Sequence, residues 1–116
     1  FKKMRVKTSV ASKKRKKRLL KQTKGFWGQR KNVFKRAKET LLRAMAFSYR
    51  DRKAKKRTMR ALWITRINAS LREEGVTYSK FIHTLKLKNI DLDRKVLSEL
   101  AMNNPDQFKK LISEVM

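Results

Sequence analysis

Residues 29–74 read QRKNVFKRAKETLLRAMAFSYRDRKAKKRTMRALWITRINASLREE and contain neither Gly nor Pro. Strong helix formers, chiefly Ala, Leu, Lys, Arg, Met and Glu, dominate this stretch. Apolar residues recur every four positions, at Val33, Ala37, Leu41, Met45 and Tyr49. This spacing is typical of an amphipathic helix. The stretch therefore predicts one long helix, on the order of 60 Å at ~1.5 Å per residue.

The middle of this predicted helix has no apolar face. Residues 50–57 read RDRKAKKR, with six cations in eight residues. The apolar spacing resumes only afterwards, at Met59, Leu62, Trp63, Ile67 and Leu71. Because the helix exceeds the diameter of any globule that this chain could form, its middle must be solvated, kinked or embedded in a partner. The cations favour a partner.

Residues 1–28 form a predicted basic arm. Positions 13–18 are six consecutive cations, and the arm ends in Gly25-Phe26-Trp27-Gly28. Such a run repels itself, and few aliphatic residues accompany it, so we expect the free arm to be disordered or partly helical. The two glycines allow a bend at the aromatic pair, which we call the elbow.

Residues 75–116 predict a small domain of three short helices. Gly75 is placed to end the long helix, and Thr77 to cap the first short one. We expect Asp91 or Leu92 to open the second, and Asn104-Pro105 to cap and begin the third. The predicted core faces are Phe81, Ile82 and Leu85; Val96, Leu97, Leu100 and Ala101; and Phe108, Leu111, Ile112 and Val115.

A domain of roughly 40 residues is marginal alone. We therefore expect the long helix to supply part of its core, from Met59, Leu62, Trp63 and Ile67. The predicted fold class is all-α, with an extended basic N-terminal arm, a long central helix (29–74) and a small three-helix C-terminal domain (75–116).

The amount and distribution of charge indicate what kind of partner the chain binds. The chain has 34 Lys and Arg against 9 Asp and Glu, a net charge of +25. Residues 1–58 hold 24 of these cations and 2 acids, a net of +22, whereas residues 59–116 hold 10 cations and 7 acids, a net of +3. A dense polyanion must neutralise the first half, and nucleic acid has one phosphate per nucleotide.

Several other classes of protein are disfavoured. The chain has no Cys, which excludes disulfides, thiolate zinc sites and Cys nucleophiles. No apolar run approaches the length of a membrane span. The single histidine, His83, has no catalytic partner in the sequence, and we interpret Glu73, Glu74, Asp91 and Asp93 as helix-end and capping residues. We expect no enzyme, cofactor, metal or small-molecule substrate.

The run at 13–18 could by itself be a solubilising tail or a nuclear-localisation patch, but a second cluster at 50–57 favours phosphate binding. Such a mixture of Lys and Arg suits many backbone contacts more than recognition of a short base sequence. The predicted phosphate contacts are Lys13, Lys14, Arg15, Lys16, Lys17, Arg18, Lys24, Arg30, Lys31, Arg36, Arg50, Arg52, Lys53, Lys56, Arg57, Arg60 and Arg66.

The aromatic residues have two interpretations. Phe26 and Trp27 can stack on unpaired bases, or they can pack the elbow against the long helix or a neighbouring protein. Trp63 lies within a periodic apolar stripe, so we expect it in the core. Asn68 can contact RNA or simply lie exposed on the helix.

Two rival functions remain. Composition alone allows a DNA-compacting protein without sequence preference, although neither a dimerisation heptad nor a helix-turn-helix unit is evident, and we expect no homo-oligomer. A membrane-active basic helix would need a continuous apolar face. The cluster at 50–57 interrupts that face, so we expect no membrane partner.

Five blocks of the chain, in order, strongly resemble the bacterial-type large-subunit ribosomal protein L20 family. They are residues 24–28 (KGFWG), 49–53 (YRDRK), 62–69 (LWITRINA), 75–82 (GVTYSKFI) and 92–95 (LDRK). The resemblance extends over essentially the whole chain from Arg5. Two departures are Phe26-Trp27, where paired tyrosines are also common, and the start Phe1-Lys2-Lys3.

The resemblance implies that the arm and long helix thread into domain II of the large-subunit ribosomal RNA, with the helical domain near the surface. It implies an early role in subunit assembly, with neighbouring ribosomal proteins as further partners. Some members also repress translation of their own operon by binding its leader messenger RNA. The expected location is the large ribosomal subunit, in a bacterial cytoplasm or an organelle of bacterial descent.

Overall fold

A computed structural model describes Arg5 and residues 7–116; residues 1–4 and residue 6 of the predicted arm, which include the unusual start, lie outside this part. The described chain is helical and contains no strand. Its elements are α1 (Ser9–Gln22), a 3₁₀ helix (Gly28–Lys31), α2 (Phe34–Glu73), α3 (Tyr78–Leu87), α4 (Arg94–Asn103) and α5 (Pro105–Val115). The predicted all-α class, with its long central helix and three short C-terminal helices, is confirmed.

The chain divides into two compact units, which meet between Arg52 and Lys53. We call them the N-terminal unit and the C-terminal unit. Each has its own packing and its own charge, and each is described separately below.

In the N-terminal unit, α1 includes the six consecutive cations, so the described arm is partly helical. Thr23, directly after α1, is fully buried. Its hydroxyl donates to the carbonyl oxygens of Leu20 at 3.1 Å and Lys31 at 3.3 Å. The Lys16 ammonium lies 5.7 Å from the centre of the Phe34 ring, a cation–π contact. These contacts join α1, the 3₁₀ helix and the start of α2.

The elbow changes the start of the long helix. Gly25 has a φ of +91°, which favours glycine, and the next residues form the 3₁₀ helix. As a result α2 begins at Phe34, later than the predicted Gln29. The predicted apolar stripe is largely uncovered: Ala37 is buried and Leu41 half-buried, whereas Val33, Met45 and Tyr49 are exposed.

The C-terminal unit contains a hydrophobic core built from all four of its helical segments. The Phe81 and Phe108 rings meet edge to face, with centroids 6.0 Å apart. Val76, Tyr78, Ile82, Ile90, Leu100 and Leu111 pack around the cluster. Its buried members are Ile67, Leu71, Phe81, Leu85, Leu97, Ala101, Phe108, Ile112 and Val115.

The residues that the long helix contributes to this core lie nearer its C-terminal end than predicted. Ile67 and Leu71, one turn apart, are fully buried, but Met59 and Trp63 are half-buried and Leu62 is exposed. The expectation that Trp63 belongs to the core is therefore wrong. Helices of 10 or 11 residues are only about 15 Å long, so they cover a few turns of α2.

The helix ends follow the predicted chemistry with two corrections. Gly75 has a φ of +71°, as a helix-ending glycine requires. Asp93, rather than Asp91 or Leu92, precedes the second short helix, and its Oδ1 accepts from the Val96 N–H at 2.7 Å. Asn104 and Thr77 occupy cap positions without a side-chain hydrogen bond, although Pro105 begins α5 as predicted.

Candidate nucleic-acid interface

The predicted phosphate contacts are exposed, except for the half-buried Arg66. Neutralisation within the chain is limited by number, since residues 1–58 contain 24 cations and 2 acids. One acid, Asp51, accepts from Arg50 Nε at 3.1 Å, with both side chains 65% exposed. Exposed pairs of this kind stabilise a fold little, so the surface charge remains available to an external anion.

The first cationic groove, the arm groove, lies in the N-terminal unit. It has a volume of about 390 Å³ and lies where the end of α1, the elbow and the 3₁₀ helix meet. It brings together three predicted residues, Lys17, Lys24 and Lys31, and adds Lys21. The remaining lining residues are Leu20, Gly25 and Asn32. Four ammonium groups around one depression attract anionic groups such as phosphate.

The second groove, the aromatic groove, begins at the elbow and has a volume of about 370 Å³. Its predicted members are Phe26, Trp27 and Arg30, and α2 adds Thr40, Arg43, Ala44 and Phe47. Trp27 is 88% exposed. Packing of this indole within its own chain is therefore excluded for the described residues, which leaves base stacking or a neighbouring protein.

Guanidinium groups are held in place beside these rings. Arg30 Nη1 donates to Thr40 Oγ1 at 2.8 Å, and that hydroxyl donates to the Arg36 carbonyl at 2.9 Å. The guanidinium carbons of Arg43 and Arg50 lie 5.7 Å and 4.6 Å from the Phe47 ring centre. Flat aromatic and guanidinium surfaces of this kind stack on nucleobases.

The third groove, the head groove, lies in the C-terminal unit and has a volume of about 470 Å³. Predicted residues Lys56, Arg57 and Arg60 line it, together with Trp63, Asp93, Arg94 and Lys95. Arg94 Nε donates to the Tyr78 hydroxyl at 3.0 Å, which orients its guanidinium. Because Tyr78 packs against the core, the core itself positions one cation of this groove.

Other predicted residues lie outside the three grooves: Lys13, Lys14, Arg15, Lys16, Arg18, Arg36, Arg50, Arg52, Lys53 and Arg66. Within this set, Arg52 Nη1 donates to Ser48 Oγ at 2.7 Å. Among the other residues that the sequence singled out, Asp93 is a capping residue as predicted. His83 is exposed, and Asn68 is half-buried rather than exposed.

Sequence reasoning missed Lys21, Arg43, Phe47, Arg94 and Lys95. Phe47 and Arg43 lie one helical turn apart, a spacing that places them on one face, and their position relative to the elbow depends on tertiary packing. Arg94 and Lys95 belong to the recognised block 92–95, which was a usable indication of function.

No helix among the described residues is both long enough and apolar enough to span a membrane. No group of three or more His, Cys, Asp or Glu there is arranged to hold a metal ion.

The helical fold and the three cationic grooves, two of which include aromatic rings, are typical of basic proteins that bind nucleic acid. Comparison with known families is more specific: residues 5–111 match the family model described as Ribosomal protein L20. The chain belongs to the ribosomal protein L20 family.

Curated relatives cover nearly the whole chain. It is 50% identical to the large ribosomal subunit protein bL20 of Malacoplasma penetrans over 113 residues, which are 97% of this chain and 98% of that protein. It is 53% identical to the bL20 protein of Flavobacterium psychrophilum, over 92% of this chain and 94% of the relative. The bL20 protein of Borrelia hermsii is 51% identical, over 96% of both chains.

Proposed function

We propose that this protein is a structural, non-enzymatic constituent of the large ribosomal subunit and binds the ribosomal RNA of that subunit directly. The observation that carries the proposal is the charge of residues 1–58, where 24 cations outnumber 2 acids; the described cations among them are exposed. Membership in the L20 family and the names of its relatives supply the ribosomal context.

Electrostatics supplies the mechanism of binding. Each Lys or Arg that contacts a phosphate releases condensed counterions from the RNA, and the gain offsets the loss of chain entropy on docking. Neutralised phosphates no longer hold neighbouring RNA helices apart. The protein thereby stabilises a compact RNA fold, with RNA shape as the main determinant of binding. This mechanism supports an early role in subunit assembly.

Different segments of the chain have different roles in this binding. The basic arm (1–28) and long helix (29–74) carry most phosphate contacts, and the helical domain (75–116) adds a folded surface. Phe26 and Trp27 stack on unpaired bases. The partners are large-subunit ribosomal RNA and neighbouring ribosomal proteins, in a bacterial or bacterially derived compartment. A leader messenger RNA that mimics the ribosomal site would bind the helical domain and allow repression.

Sedimentation tests the ribosomal assignment. The protein should migrate with the large ribosomal subunit through a sucrose gradient and remain with it in high salt. Migration with chromosomal DNA, or release at moderate salt, would favour the rival DNA-compacting function. Equal affinity for duplex DNA and structured large-subunit RNA at the same salt concentration would do the same.

A matched pair of variants tests the division of labour. Lys13→Gln, Lys14→Gln and Lys17→Gln together remove three predicted phosphate contacts, whereas Lys80→Gln, Lys86→Gln and Lys110→Gln remove the same charge from exposed positions outside the predicted surface. At about 0.7–0.9 per phosphate, the first triple should reduce the slope of log affinity against log salt by about 2. An equal reduction by both triples would refute the proposed division.

A further inference from the structure

The head groove contains one group that phosphate binding does not explain. Asp93 is an exposed carboxylate among five cations, Lys56, Arg57, Arg60, Arg94 and Lys95. A carboxylate repels phosphate oxygens and accepts hydrogen bonds without donating any. A groove built for a phosphate alone would gain affinity from losing it.

One oxygen of Asp93 is already used. Oδ1 accepts from the Val96 N–H at 2.7 Å and caps α4. The second oxygen, Oδ2, makes no hydrogen bond or ion pair with the part of the chain that the structure describes, although the cations line the same groove. The cap holds the carboxylate in place and leaves Oδ2 free to accept from a ligand.

Trp63 supplies an aromatic surface in the same groove. It lies in the apolar stripe of α2 but remains half-buried, outside the core cluster. An indole beside several cations is the arrangement that holds an unpaired base against a protein, with the flanking phosphates neutralised. The groove volume of about 470 Å³ also falls within the range of small-ligand sites.

The identity of the base follows from the acceptor. Guanine presents two adjacent donors, N1–H and the N2 amino group, on its Watson–Crick edge. Adenine, cytosine and uracil each place an acceptor beside their donor on that edge, and this acceptor repels a carboxylate oxygen. A fixed acceptor therefore favours guanine among unpaired bases.

We propose that the head groove binds one unpaired guanine of the RNA, stacked on Trp63, with Asp93 Oδ2 accepting from its Watson–Crick edge. Arg57, Arg60 and Lys95 contact the flanking phosphates, and Arg94 is held ready by Tyr78 at 3.0 Å. This inference rests on the proposed RNA-binding function and adds to it a base-selective contact beside the shape-dependent ones.

Fluorescence anisotropy of the full chain with four labelled pentaribonucleotides tests the proposal: UUGUU, UUAUU, UUCUU and UUUUU. The four RNAs carry the same phosphate charge, so nonspecific attraction cancels in the comparison. We expect UUGUU to bind at least five-fold more tightly than the others. Trp63→Leu should weaken binding of all four.

Asp93→Asn is the decisive variant. Asn caps helices as well as Asp, so the fold should be retained, but its amide group replaces the free acceptor with a donor. The guanine preference should fall below two-fold. Asp91→Asn removes the same charge two residues away, at an exposed position outside the groove, and should keep the preference.

Equal affinity for the four RNAs, or a preference that survives Asp93→Asn, would overturn the guanine site. The proposed function fails by a different result, namely loss of the strongly salt-dependent binding to structured large-subunit RNA. Measuring both on the same preparations therefore separates failure of the base contact from failure of the ribosomal assignment.

Discussion

The two units of this chain are stabilised in different ways. Up to Arg52 the chain holds 20 cations and 2 acids, a net charge of +18, and its buried side chains among the described residues are Thr23 and Ala37. From Lys53 onward 14 cations face 7 acids, a net of +7, around a nine-residue buried cluster. Burial of apolar surface is the dominant favourable contribution to folding. The C-terminal unit therefore obtains its stability from a core, whereas under the proposed function the N-terminal unit would obtain it from bound RNA.

Truncating the core should produce the largest effect. Phe81 is fully buried against Phe108, and Phe81→Ala should cost about 3–5 kcal/mol of unfolding free energy from lost burial and a cavity. Urea denaturation followed by circular dichroism measures the loss. Amide exchange in α1 should change little, and if α1 loses protection equally, the two units are not independent.

Thr23→Val is the corresponding test in the N-terminal unit. Valine keeps the shape but removes the hydroxyl that donates to the Leu20 and Lys31 carbonyls. Breaking these bonds in a buried position should cost about 1–2 kcal/mol. Amide exchange by mass spectrometry should show faster opening between α1 and the 3₁₀ helix. Thr58→Val, at an exposed hydroxyl bonded to the Ala54 carbonyl, is the control and should have a smaller effect.

Gly75→Ala tests the junction between α2 and the short helices. A Cβ at this position meets nothing within 4 Å, so the cost arises from the φ of +71° alone. We expect a loss of about 1 kcal/mol in unfolding free energy. Gly75→Asn should lose less, because Asn tolerates the left-handed region better. Equal losses would show that another contact matters.

Ser98→Ala should stabilise the C-terminal unit. Ser98 is 1% exposed, and its Oγ has no hydrogen-bond partner in the described structure. Removing the unsatisfied hydroxyl and introducing a better helix former should add about 0.5–1 kcal/mol. A raised urea midpoint with an unchanged slope is the expected result. A lowered midpoint would show that the hydroxyl has a stabilising partner.

Helix boundaries are encoded by adjacent residues, whereas the burial of a side chain is not. The α5 boundary was predicted from Asn104 and Pro105 because N-terminal helix chemistry involves adjacent residues. The role of Trp63 was predicted wrongly because a helical apolar stripe does not specify how much of it a partner covers. Short helices cover Ile67 and Leu71 and leave Trp63 at a groove.

The candidate site also has some features that follow from the sequence and others that require the tertiary structure. Charge and composition identified the predicted cations as surface groups, since no arrangement of this chain could neutralise them internally. The pairing of Trp27 with Phe47 in one groove, and of Trp63 with Asp93 in another, joins residues distant in sequence. Such groupings depend on chain reversal at the elbow and at the turns of the C-terminal unit.

The sequence by itself determined the helical class and the uneven charge, and with them the expectation of a polyanionic partner, because these follow from local propensity and from counting charges. Only the tertiary structure decided which apolar residues are buried and which cations share a groove with an aromatic ring. Those outcomes depend on the lengths and packing of α3, α4 and α5 and on the bend at Gly25. Asp93 illustrates both cases. Its capping of α4 depends on neighbouring residues, whereas the groove beside its second oxygen also requires residues of α2.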